Sequence, residues 1–135
     1  MIIMPDIYTK KLFTTGALFN WGAAALIFAA GMRPDWAHLL GLDPASGSAS
    51  MFFQLGVFAI ALFGWAYWQV AQDPVSNRPF ALLGVIGKLA TVALIWIHWA
   101  LGNIGWQLAA LVVVDLIYTF LFWRWLMGNS ASRTA

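Results

Sequence analysis

Four long apolar runs, over residues 12–31, 51–72, 80–101 and 105–127, are joined by connections too short to hold a domain of their own. A helix rises about 1.5 Å per residue, so about 20 apolar residues cross a hydrocarbon core about 30 Å thick. In lipid the backbone must satisfy its own hydrogen bonds, which leaves helices or a closed barrel. Runs of this length and uniform apolarity read as helices. Short connections force sequence neighbours to run antiparallel. The expected fold is therefore all-α: an integral membrane antiparallel four-helix bundle, a single transmembrane domain over residues 1–135. Composition agrees, with 62% hydrophobic and only 9% charged residues, against about 25% charged in soluble domains.

Lysine and arginine placement predicts sidedness. Lys10, Lys11, Arg78, Arg124 and Arg133 fall on one side of the expected bundle, and only Arg33 on the other. That bias predicts both termini in the cytoplasm. A basic start followed by an apolar run also describes a secretory signal peptide, and Phe28-Ala29-Ala30-Gly31 loosely matches a cleavage site. The first run exceeds the usual 7–15 residues of such a segment and carries Asn20 at its middle, so it is expected to be retained.

The connections differ in character. Residues 33–40 predict a short interfacial helix opened by Pro34, with Trp36, Leu39 and Leu40 dipping into the headgroup layer. Residues 43–48 read as flexible linker and residues 72–79 as a proline-bounded turn, with Pro79 opening the third helix. Residues 102–105 are so few that the third and fourth helices must form a hairpin. The tail from residue 128 is expected to fray. Seven of the nine tryptophans sort to two interfacial levels: Trp36, Trp96, Trp99 and Trp106 at one, Trp68, Trp123 and Trp125 at the other. Trp21 and Trp65 lie deeper, where packing against lipid or neighbouring helices is the plainer reading than lining a ligand.

Lys88 and Asp115 are the charged residues placed deep inside apolar runs. Each is costly if left unpaired, about 2.5–3.5 kcal/mol on insertion scales. Counted from Asn103 in the tight turn, their depths differ by only about 4–5 Å at the helical rise, which a lysine side chain spans. An ion pair across the hairpin is expected, with Asn20 at a similar depth to donate to Asp115 or accept from Lys88. On the third helix Gly84, Gly87, Lys88, Thr91, Ile95 and His98 share one stripe. Asp115, Tyr118 and Thr119 share a face of the fourth helix. Gly16, Asn20, Ala23 and Ala24 on the first and Gly56, Ala59, Phe63 and Tyr67 on the second complete four faces expected to converge. The candidate polar centre is thus Lys88, Asp115, Asn20, Tyr118, Tyr67 and Thr91, with His98 and Gln107 as a secondary pair expected to hydrogen-bond each other. Such a centre either fixes helix register or handles a ligand, proton or ion.

Phe19-Asn20, Phe63-Gly64-Trp65-Ala66-Tyr67, Arg78-Pro79, Gly87-Lys88 and Asp115 together resemble small bacterial four-span membrane proteins, broadly similar in size and layout to the DoxX-like group, over most of residues 10–127. The resemblance implies a four-helix bundle and groups Asn20, Lys88 and Asp115 as a unit. It conveys no activity. The group often carries Gly-Asp in its fourth span, where this chain has Val114-Asp115.

Several chemistries lose their usual residues. The chain has no cysteine, hence no disulfide, thiolate nucleophile or cysteine-bound metal. It has no glutamate, and no serine falls inside a predicted span, so neither a carboxylate pair nor a Ser–His pair can be assembled in the bundle. No phosphate loop, dinucleotide fingerprint or zinc-protease motif occurs. A net charge of +2, dispersed along the chain, points away from nucleic acid. No catalytic residue, metal or cofactor is called for, although His38 and His98 leave a two-histidine haem conceivable. Membrane lipids are the expected partners, with a homo-oligomer or larger membrane complex. The favoured reading is a non-catalytic membrane protein, accessory or engaging lipid or a hydrophobic ligand. The alternatives are a small proton- or substrate-coupled transporter acting as an oligomer, and an intramembrane enzyme or redox carrier for a lipid- or quinone-like substrate.

Overall fold

The computed structural model describes residues 6–131. Helix α1 (Ile7–Gly31) starts ahead of the apolar run, because the Asp6 carboxylate accepts from Thr9 N at 2.6 Å and caps the first turn. Lys10 and Lys11, which precede the predicted span, therefore sit on the helix. A one-turn helix, α2 (Pro34–Ala37), begins at Pro34 and runs into a 3-10 turn, His38–Leu40. The short helix expected at Pro34 is thus present, with Leu39 71% exposed. Helix α3 (Gly47–Gln72) takes up the end of the predicted linker with Ser48, and Ser50 beyond it, so two serines do fall within a spanning helix, at its first turn. Helix α4 (Arg78–Ala100) has Pro79 in its first turn, where a missing N–H costs nothing. Helix α5 (Trp106–Ala131) continues through Gly128, so the fraying expected from that residue does not begin there. Arg133, used in the charge count, lies outside the described residues.

The four long helices run antiparallel in the order α1, α3, α4, α5, and α5 returns to α1. The start of α1, the end of α5 and the 73–77 turn lie at one end, the proximal end; the 32–46 connection and the 101–105 turn lie at the other, the distal end. Two pairs are closely packed along their lengths. Between α1 and α3, Trp21 Nε1 donates to Ala61 O at 3.1 Å, and between α4 and α5, Trp96 Nε1 donates to Ala109 O at 3.1 Å. Hydrogen bonds from side chains to carbonyls of the next helix are a main source of helix association in lipid, where apolar burial supplies none.

The two pairs join at the proximal end. Phe13, Ala17, Tyr67, Val70, Ala81 and Phe122 form a core with no exposure. Phe13 stacks on Phe122 at 4.5 Å and meets Trp125 edge-on at 4.9 Å. Trp125 in turn donates to Thr9 Oγ1 at 2.8 Å, tying the two ends of the chain. At the distal end the 3-10 turn docks on the α4–α5 hairpin through Gly105 N to Gly41 O, 2.8 Å. The outward faces are greasy: Phe58 is 66% exposed, Leu94 59% and Phe120 59%. Apolar surface of this extent needs lipid around it, and all four helices are long and apolar enough to cross a membrane.

Candidate functional site

Lys88 lies half-way along α4 with its side chain only 4% exposed. Its ammonium donates to the Asp115 carboxylate of α5 and to Asn20 Oδ1 of α1, the latter at 3.0 Å. Asn20 Nδ2 donates onward to Ile60 O of α3 at 3.1 Å. One closed set of bonds thus touches all four spanning helices at a single depth. Three aromatic faces complete the shell around the ammonium: Tyr67 at 5.2 Å, Phe19 at 5.7 Å and Tyr118 at 5.7 Å. A cation next to ring faces and away from water gains electrostatic attraction from their quadrupoles. The arrangement answers the charge of Lys88 from every side.

Of the predicted centre, the structure brings Lys88, Asp115, Asn20, Tyr67 and Tyr118 together. Tyr67 is fully buried, and its hydroxyl has no hydrogen-bond partner among the described residues. Thr91 does not join: its hydroxyl bonds back to Gly87 O at 2.8 Å on an exposed face. Thr119 does the same to Asp115 O at 2.8 Å, but buried. The expected His98–Gln107 hydrogen bond is absent. His98 Nδ1 lies 3.0 Å from Asn103 Nδ2 within its own turn, while the Gln107 Oε1 is buried without a partner beside Gly41 and Gly105. The reason is the docked 3-10 turn, which covers Gln107 and leaves the shorter local contact to His98.

Convergence of the four faces also stops at this level. Below it, Gly84 and Gly87 of α4 admit rings of α3: a β-carbon at Gly87 would lie 2.7 Å from the Phe63 ring, and one at Gly84 would lie 2.5 Å from Tyr67. Above it, the same two stripes continue as Gly56 and Ala59 on α3 and Thr91 on α4, and all three are exposed. A β-carbon at Gly56 would meet nothing within 4 Å. Small residues close the seam only where a ring fills the other side. In the distal half no ring lies against Gly56. Asp115, on α5 at the level of the centre, keeps 16% side-chain exposure.

Phe19, Ile60 O and the Thr9–Trp125 bond were not singled out from the sequence as parts of the assembly. Phe19 was visible beside Asn20; a backbone acceptor and a bond across 116 positions leave no sequence signal. Among the described residues no group of three or more His, Asp or Glu is placed to hold a metal.

Fold and site together define an integral membrane four-helix bundle clasped by a buried Lys–Asp–Asn set. No protein-family model, curated protein or solved structure matches the chain.

Proposed function

We propose that this is a non-catalytic membrane protein that engages a lipid chain or similarly hydrophobic ligand between the distal halves of α3 and α4. The observation that carries this is the set of small, exposed positions Gly56, Ala59 and Thr91 on the stripes of α3 and α4 that meet further down, above a polar centre whose charges are already answered. A closed Lys–Asp–Asn set with four-helix reach serves as a clasp, holding the two helix pairs together where the opening begins. An apolar slot between helices suits a chain better than a polar solute. The protein works as an accessory or lipid-engaging element of a bacterial inner membrane, both termini cytoplasmic, alone or with further copies. Its resemblance to the DoxX-like group fits that setting. Reporter fusions after Ala135 and within residues 46–50 test the sidedness; an exterior C-terminus would refute it.

The ligand reading is tested by native mass spectrometry of the detergent-purified chain. Wild type should retain hydrophobic adducts, Gly56→Trp should carry at least one fewer without loss of folding, and Lys88→Met/Asp115→Leu should keep the wild-type number. An adduct number in Gly56→Trp equal to that of wild type would refute the site. The transporter alternative draws on a different observation, the orphaned Tyr67 hydroxyl buried beside Lys88. It predicts that the double variant folds and loses function, because no titratable pair remains.

A further inference from the structure

The proximal end carries a recess of about 530 Å³ between the 73–77 turn, the first turns of α4 and the end of α5. Its walls include Val75, Ser76, Arg78, Leu82, Trp123 and Met127. Arg78 is the charged member of the lining, and its guanidinium is fixed in place by donating to Leu126 O at 3.0 Å. Leu82, Trp123 and Met127 offer apolar surface beside it, exposed by 46%, 48% and 55%. The recess thus sets a guanidinium beside a greasy wall at the depth where a spanning helix leaves the hydrocarbon.

A ligand for such a place needs an anionic head and an apolar body. A guanidinium presents a planar fork of N–H donors that fits a phosphate, and tryptophan sits well where chains meet headgroups. The surrounding charge favours an anion as well: Lys10, Lys11 and Arg124 share this end, against the carboxylates of Asp6 and Asp73. Basic residues at a membrane surface attract anionic lipid by about 1 kcal/mol each. We propose that the recess binds one anionic phospholipid, its phosphodiester on Arg78 and its glycerol and upper chains along Leu82, Trp123 and Met127. This site lies at the end of the bundle opposite to the α3–α4 opening and stands or falls independently of it.

Asp73 supplies a test of sign. Its carboxylate accepts at 3.1 Å from the N–H of Ser76, a lining residue, and so opposes an anion in the recess. The full-length chain in detergent is titrated with phosphatidylglycerol, phosphatidylcholine and inorganic phosphate, and bound lipid is counted by native mass spectrometry. Phosphatidylglycerol should fill one saturable site at least about tenfold more tightly than phosphatidylcholine, a difference of about 1.4 kcal/mol. Arg78→Gln should lose that preference and Asp73→Asn should strengthen it. Because Arg78→Gln also removes the bond to Leu126, Val75→Asp serves beside it: Val75 is 47% exposed in the turn, so its carboxylate should weaken phosphatidylglycerol binding several-fold with the melting curve unchanged. Equal binding of the two lipids, or full binding by Val75→Asp, would overturn the proposal. So would inorganic phosphate binding as tightly as phosphatidylglycerol, which would make the recess a free-anion site.

Discussion

Replacing Lys88 by methionine strands Asp115, and replacing Asp115 by leucine strands Lys88. Breaking a buried pair on one side costs about 3–5 kcal/mol, because the remaining charge has lost its partner in a low dielectric. Two features place both single variants near the lower figure. Lys88 without Asp115 still has Asn20 Oδ1 at 3.0 Å and three ring faces within 5.7 Å. Asp115 without Lys88 has 16% exposure through which to regain some solvation. We expect about 3 kcal/mol for each single change. In Lys88→Met/Asp115→Leu no charge is stranded, and the main remaining loss is the donor to Asn20 Oδ1, about 1–2 kcal/mol. The coupling between the two sites is then about 4 kcal/mol, within the range measured for close charge pairs. Equilibrium unfolding in mixed micelles, followed by tryptophan fluorescence, measures all four corners of the cycle. Losses that add to within about 0.5 kcal/mol would refute the clasp.

Other consequences are local. Gly84→Ala drives a methyl into the Tyr67 ring and should cost about 1–3 kcal/mol, whereas Gly56→Ala, which meets open space, should be neutral or stabilise by up to about 1 kcal/mol in the same unfolding assay; equal effects would contradict the half-closed seam. Trp125→Phe removes the donor to Thr9 and should cost about 1 kcal/mol, with Thr9→Val adding little to it; full additivity in that cycle would argue against the bond. Hydrogen bonds from Ser76 hold the Asp73 carboxyl below its ordinary range. A lowered folded value means that this stabilisation is present above the ordinary carboxylate range and is lost as pH falls through the folded value. The melting temperatures of wild type and Asp73→Asn should therefore converge in acid, and a gap independent of pH would contradict the assignment.

The spans, their order and the pairing of Lys88 with Asp115 were legible because lipid enforces them. A spanning helix must be apolar for its whole length, and a charge inside one must find a partner at its own depth. Asn20 was legible for the same reason. What failed to show was where neighbouring stripes touch. Gly84 and Gly56 look alike on a helical wheel, yet one seats Tyr67 and the other faces open space, a difference set by which rings the opposing helix offers. Thr91 followed the stripe correctly and still fell outside the centre, because its hydroxyl finds Gly87 O one turn back. The His98–Gln107 pair failed through an element that depth counting ignores, the 3-10 turn that Gly41 and Gly105 hold against the hairpin. Helix ends moved for local reasons as well, Asp6 extending α1 ahead of its apolar run.

The opening between α3 and α4 can be read directly, because the chain has no native cysteine. Nitroxide labels on Ala59→Cys, Thr91→Cys and Ala81→Cys, reconstituted in lipid, report contact with oxygen dissolved among the chains. Ala59 and Thr91 are exposed, whereas Ala81 has no exposure in the proximal core. Labels at 59 and 91 should relax rapidly with oxygen, slow when a hydrophobic ligand fills the opening, and regain the rapid rate in a Gly56→Trp background exposed to that ligand. The label at 81 should stay shielded throughout. Shielding at 59 and 91 equal to that at 81 would mean that the helices close along their whole length, and the account would be contradicted at its centre.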